Sequence, residues 1–247
     1  MTYCIPFKLA ICLVLLTVAG AGSNKAGHSR PNSSSMFESN SMLICLSKDE
    51  IAIVLQNFSS AKTSSEQEHI KNSLLENGKR SDVCRKRIIA AIMEAMDQPN
   101  VDLVRDRSSF YLWHYGTEVL GDLKAVEALD LLIKHLDLND GTPFPMNHHP
   151  ALVGVIRMGP VAIPKLNAVL SQSTDRYMRR YAVFCIASIG GPSARKVLEV
   201  ALKLESDECG RSFLEASLAA FRNPRAPNQV GADEQSKWHS AFLCDGT

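Results

Sequence analysis

The residues best suited to chemistry lie in and around one loop. His148 and His149 close the segment 137–150, DLNDGTPFPMNHHP, and paired imidazoles near the carboxylate of Asp140 are ligand types for zinc or copper. Adjacent residues at a helix start point in different directions, however, and no third ligand is suitably spaced. A solvated loop at a helix amino-terminus accounts for the same residues. The run Asp137-Leu-Asn-Asp-Gly141 differs from a calcium loop, because its glycine comes one place early and no glutamate closes it.

Three further groups have the right residue types. Arg176, Arg179 and Arg180 would make an anion-binding patch on one edge of a helix, or ladders of Asp and Arg between neighbouring units with Asp175 as the helix cap. Phe110, Tyr111, Trp113, His114 and Tyr115 point in nearly every direction around a helix, so part of the group faces away from any single core stripe. That part is a candidate binding surface; otherwise Trp113 and Tyr115 cover a junction between the amino-terminal helices and those that follow. Cys185, within the apolar run Val183-Phe184-Cys185-Ile186, lacks the exposure and the neighbouring base that a thiol nucleophile needs. No G-x-S-x-G elbow and no C-x-x-C pair occurs.

The elements that must position these side chains are helical throughout. Ser47 and Glu50 are spaced as a capping box, followed by Ile51, Val54 and Leu55 on one face. A second helix is expected from Ser64 to Glu76, closed by Asn77-Gly78, and a third from Ser81 or Asp82, with Val83, Ile88, Ile89, Ile92, Met93 and Met96 at helical spacing until Pro99. Next come a long aromatic helix within 101–120, a turn at Leu120-Gly121, and an amphipathic helix from Ala125 to Leu136 with Val126, Leu129, Leu132, Ile133 and Leu136 as its buried stripe.

Beyond the loop the chain repeats. Gly159-Pro160 aligns with Gly191-Pro192 at an offset of 32, which pairs Ala162, Leu166, Val169 and Leu170 with Ala194, Leu198, Ala201 and Leu202. Upstream an offset of 31 pairs Leu152, Val155, Ile156, Met158 and Gly159 with Val183, Ile186, Ala187, Ile189 and Gly190; one inserted glycine explains the slip. An offset of 37 back from the middle unit puts Ala125, Leu129, Leu132 and Ile133 in the same roles. A last helix, Glu208 to Phe221, ends before Asn223-Pro224-Arg225-Ala226-Pro227.

Arg180-x-Ala182, the turn glycines, Gly159-Pro-x-Ala-Ile-Pro164 and the four-residue leucine spacing resemble the HEAT repeats, in particular the short HEAT-like repeats also seen in phycobilisome lyases. The resemblance covers His148 to Glu205 best. It implies a fold, helical hairpins each stacked on its neighbours, and not an activity. HEAT-repeat enzymes such as the di-iron deoxyhypusine hydroxylases hold metal through His-Glu dipeptides, and none occurs here; only the reversed Glu68-His69 does.

The ends set the compartment. Lys8, an apolar run from Leu9 to Val18, and Ala19-Gly-Ala21 match a secretory signal peptide cleaved after Ala21. The run is shorter than the roughly 20 residues that cross a bilayer, so no stable membrane span is expected after its removal. Lys8 is the only charged residue in that segment, so cleavage takes the formal net charge of +1 to zero. Without a basic excess, nucleic acid is excluded as a partner class. Export permits disulfides, and Cys45 with Cys84 and Cys209 with Cys244 are the candidate pairs, leaving Cys185 buried and free.

The expectation is an all-α protein: signal peptide 1–21, flexible leader 22–41, helical cap 42–100, a short α-solenoid of stacked antiparallel helical hairpins (HEAT-like, armadillo-like) over 101–222, and a tail 223–247 whose Trp238, Phe242 and Leu243 pack back. Its expected role is binding a protein or peptide, without cofactor or catalysis, in a secreted or periplasmic setting. Trp113, His114, Arg176, Arg179, Arg180, His148 and His149 are the candidate surface. Two alternatives are a metal-dependent hydrolase using His114, His148 and His149, and a structural subunit of an envelope assembly.

Overall fold

The computed structural model describes residues 45–61, 63–99, 101–141, 149–221, 242 and 244. The expected signal peptide, leader, His148, Trp238 and Leu243 lie outside the described residues. Within the described residues the chain is helical and has no strand.

The amino-terminal part consists of α1 (Lys48–Ser60), α2 (Ser64–Gly78) and α3 (Asp82–Met96). Each starts where the sequence supplies a side-chain oxygen for an orphan backbone N–H. Ser47 accepts from the Glu50 amide and Glu50 reaches back to the Ser47 amide, completing the capping box; Thr63 and Ser81 cap α2 and α3. Two expectations change here. Asn77 and Gly78 continue α2 rather than close it, and Asn77 is buried because its Oδ1 accepts the Leu46 amide. Val83, placed on the apolar stripe by spacing, is 62% exposed, in the first turn of α3 on the solvent side.

The next helix, α4 (Arg107–Asp122), is capped by Asp106 and runs through Gly121. The turn expected at Leu120-Gly121 falls instead at Leu123–Ala125, where Lys124 takes a φ of 53°, the left-handed region. The helix expected over 125–136 is a 3-10 turn (Val126–Ala128) and a short α5 (Leu129–Lys134). Leu129, Leu132 and Leu136 are buried; Val126 is exposed, because the 3-10 turn rotates it off the stripe.

After the loop come α6 (Pro150–Met158), a 3-10 turn (Gly159–Ala162), α7 (Ile163–Gln172), α8 (Arg176–Ile189), α9 (Gly191–Leu204) and α10 (Glu208–Ala220). Proline at the start of α6, α7 and α9 removes only an amide that has no helical partner. Gly159 and Gly190 end α6 and α8 in the same backbone region, with φ of 79° and 72°, and their amides bond the carbonyls of Ile156 and Ile186, three and four residues back. Most residue pairs matched by the 31- and 32-residue offsets share their burial: Leu152 with Val183, Val155 with Ile186, Ala162 with Ala194 and Leu166 with Leu198 are all core, whereas Met158 and Leu170 are buried and their counterparts Ile189 and Leu202 half-buried.

Helices pack on their second neighbours in chain order, α4 on α6, α6 on α8, α8 on α10 and α7 on α9, while α1 to α3 cover α4. The stretch Pro150–Gln172 has the length and apolar composition to cross a membrane. Its apolar side chains Leu152, Val155, Met158 and Leu166 are buried against neighbouring helices.

The closest packing is between α4 and α6. A Cβ on Gly121 would lie 2.6 Å from the Arg157 Cβ and 2.7 Å from the Gly154 carbonyl oxygen; one on Gly154 would lie 2.9 Å from both the Thr117 Cβ and its carbonyl oxygen. Gly121 is therefore a contact glycine, not a turn glycine. Because backbone sits in the way, Gly154→Val should force α4 and α6 apart and cost about 1–3 kcal/mol or more. Gly159→Ala meets no atom but strains a positive φ, so it should cost less, and thermal denaturation of the two variants checks the order.

Two disulfides close within this fold, Cys45–Cys84 and Cys209–Cys244, and Cys185 is buried and free. Burial alone pushes the Cys185 thiol well above the ordinary cysteine range, so it is chemically inert.

Candidate functional site

The sequence-chosen residues separate into two places. Trp113 and His114 lie on α4, and Arg176, Arg179 and Arg180 on α8, with His149 just before α6.

Trp113 is 1% exposed and meets His135 edge-on at 5.0 Å, so it is core and presents no surface. Tyr115 stacks on Phe58 of α1 at 5.3 Å and donates its hydroxyl to Gln67 Oε1 of α2 at 3.0 Å. The Tyr115 ring thus covers the junction between α1–α2 and the later helices, the second of the two roles the sequence allowed, while Trp113 packs toward His135.

His114 borders a charged cluster that joins α2, α4 and α6. Glu118, one turn on, is 8% exposed and takes Lys71 Nζ at 2.9 Å and Arg157 Nη2 at 3.2 Å, with His114 Nε2 at 3.8 Å. Lys71, equally buried, also meets Glu68 at 2.6 Å, and Arg157 meets Asp122 at 3.0 Å. Burial works against the Lys71 ammonium, but the Glu68 and Glu118 carboxylates overcome it and hold its pKa above the usual lysine value. Burial dominates at His114 and lowers its pKa, with Glu118 opposing and Lys71 and Arg157 adding to the fall. Its Nδ1 is buried with no hydrogen-bond partner among the described residues. The arrangement neutralises a carboxylate and holds no nucleophile.

His114 and His135, also lowered chiefly by burial, fold as neutral rings. The unfolded chain binds their protons first as the pH falls through about 6.5, so stability should drop below that point and be retained above it. His114→Gln should flatten the drop between about pH 6.5 and the lowered folded value, read from denaturant midpoints across pH.

At α8 the three arginines differ. Arg176 is exposed, its guanidinium 5.0 Å from the centre of the Tyr177 ring. Arg179 donates to the Ser173 carbonyl at 3.1 Å, while Asp175 caps the helix by accepting the Tyr177 and Met178 amides. Arg180 is 4% exposed and donates to the main-chain carbonyls of Phe242 and, at 2.7 Å, Cys244. The guanidiniums of Arg179 and Arg180 thus serve backbone rather than an aspartate ladder or an open anion patch. Phe242, also 4% exposed, sits among Tyr181, Phe213 and Tyr177 at ring distances of 5.1, 5.6 and 6.2 Å. His149 is buried against Tyr181 at 5.2 Å, whose hydroxyl burial pushes up to about 12. Among the described residues no three His, Cys, Asp or Glu side chains group as a metal site.

A groove that spacing did not disclose lies between α1, α3 and α4. Ala52, Leu55, Ala91, Ala95 and Leu112 form its floor, polar side chains including Gln56 and Gln98 form its rim, and the Lys48–Glu94 ion pair at 2.9 Å bridges α1 to α3 across it. About 420 Å³ of it is open to water. Small residues at Ala91 and Ala95, one turn apart on α3, are the sequence trace of it.

None of the protein-family models, curated proteins or solved structures compared with the chain matches it.

Proposed function

We propose that this chain is an exported interaction scaffold, a stack of HEAT-like helical hairpins that binds a protein or peptide without catalysis. The stacked reading is supported by second-neighbour helix packing, by the matched corners at Gly159 and Gly190, and by shared burial at the repeat offsets. Export is supported by the apolar leader sequence and by two disulfides, which persist in oxidising compartments.

The observation that carries the binding role is the α1–α3–α4 groove. Its alanine and leucine floor, rimmed by amides, hydroxyls and one ion pair, has the apolar centre and polar border of a peptide-binding cleft. Ala52 is the exposed residue of that floor, so Ala52→Arg should obstruct the groove while changing stability by no more than about 0.5 kcal/mol. Affinity capture from the exported fraction of the native host, with mass spectrometry, tests the reading. A partner retained by the wild type and lost by Ala52→Arg is expected; equal retention by both sinks it. Stoichiometric metal surviving dialysis would favour the metallohydrolase instead.

A further inference from the structure

The carboxy-terminal segment is held as a peptide ligand is held. Arg180 donates to two main-chain carbonyls, those of Phe242 and Cys244, and so recognises backbone rather than a side chain. The Phe242 side chain enters an aromatic pocket of Tyr177, Tyr181 and Phe213, and Tyr177 also lies under the Arg180 guanidinium at 5.5 Å. Nothing in this recognition depends on the segment belonging to the same chain. An emptied pocket would leave the Arg180 guanidinium without these carbonyl acceptors, which is costly, so the site demands an occupant. The Cys209–Cys244 disulfide fastens the segment to α10 two residues beyond its anchor.

We propose that Arg180, Tyr177, Tyr181 and Phe213 form a peptide-reading site whose resident ligand is the chain's own Phe242 and Cys244. Opening the Cys209–Cys244 disulfide releases them and admits a peptide in trans that carries an aromatic side chain. The reductant is a dithiol. Its thiolate attacks the sulfur of Cys244, the half-exposed partner, and Cys209 leaves as a thiolate and takes a proton. The second thiol then displaces Cys244, so one sulfur–sulfur bond breaks in the protein, one forms in the dithiol, and two electrons and two protons pass to the cysteines. The site is separate from the α1–α3–α4 groove, though the inference shares with that reading the premise that the chain binds peptides.

The test uses the full chain with Cys209→Ser, Cys244→Ser and Phe242→Ala, which keeps Cys45–Cys84 oxidised and removes the anchor in cis. The probe is a fluorescein-labelled peptide of residues 238–247 with Cys244→Ser, followed by anisotropy. Saturable binding is expected to the variant and none to the oxidised wild type, whose tethered segment competes at about millimolar effective concentration or above. Adding Arg180→Lys to the variant should weaken binding at least about tenfold by losing the two-carbonyl fork, and adding Ala52→Arg should leave it unchanged. No binding to a variant with wild-type helical circular dichroism, or equal binding to the oxidised wild type, would overturn the proposal. Hydrogen exchange on the Cys209→Ser, Cys244→Ser chain alone is the second measure. Protection of the Phe242 and Cys244 amides should fall at least about tenfold while α8 keeps its own; unchanged protection overturns the proposed release.

Discussion

Glu118→Ala is expected to lower stability by about 3–5 kcal/mol, a loss out of proportion to one surface-type residue. Glu118 is buried and faces two cations from different helices, Lys71 on α2 and Arg157 on α6. Removing it leaves the Lys71 ammonium buried with only the half-exposed Glu68 for company, and leaves Arg157 with Asp122. The penalty is the desolvated charge left behind rather than the worth of the pair itself. The double variant Lys71→Met, Glu118→Leu removes both charges and should recover most of the loss, because apolar groups of similar volume replace buried pairs at little cost. Urea denaturation of the two singles and the double gives the coupling directly; additive losses would show that the cluster is not one unit.

Removing the Cys45–Cys84 disulfide by Cys45→Ser and Cys84→Ser should cost about 4 kcal/mol, since its loop spans a sequence separation of 39 and the entropy of closure grows with the logarithm of that length. The bond ties the start of α1 to the first turn of α3, next to the Ser47 and Ser81 caps. The same caps should survive its loss, so helix content should hold at low temperature while the midpoint falls. The dependence on denaturant should steepen as the unfolded chain expands. A midpoint unchanged by the substitutions would mean that the local caps and the core around Ile51 and Ile88 already impose this geometry.

Much of the architecture was legible because it is written locally. Ser47, Ser81 and Asp175 each precede a helix they cap, and periodic apolar residues such as Ile88, Ile92 and Met96 are core. Both disulfide pairs and the buried thiol followed from cysteines at element ends and one in an apolar run. The candidate site was less legible. A glycine near a helix end reads as a turn, and only the proximity of α6 reveals that Gly121 makes room for a neighbour. Trp113 and Arg180 have the residue types of a surface, but burial by partners remote in sequence turned one into core and the other into a clamp. A main-chain carbonyl as acceptor leaves no mark on composition. The groove is the converse case, defined by alanines whose importance lies in the space they leave.

Covalent crosslinks occur among the first helices and at the last one, α10, and the middle, α4 to α9, has none. In a molecule whose elements touch chiefly near neighbours, the termini are where fraying begins, since an outermost rod has cover on one flank alone. Staples there convert two soft margins into firm ones and leave the interior to cohere by contact. Under mild reduction melting should therefore start at the margins and travel inward, giving a broad, asymmetric transition in place of one sharp step.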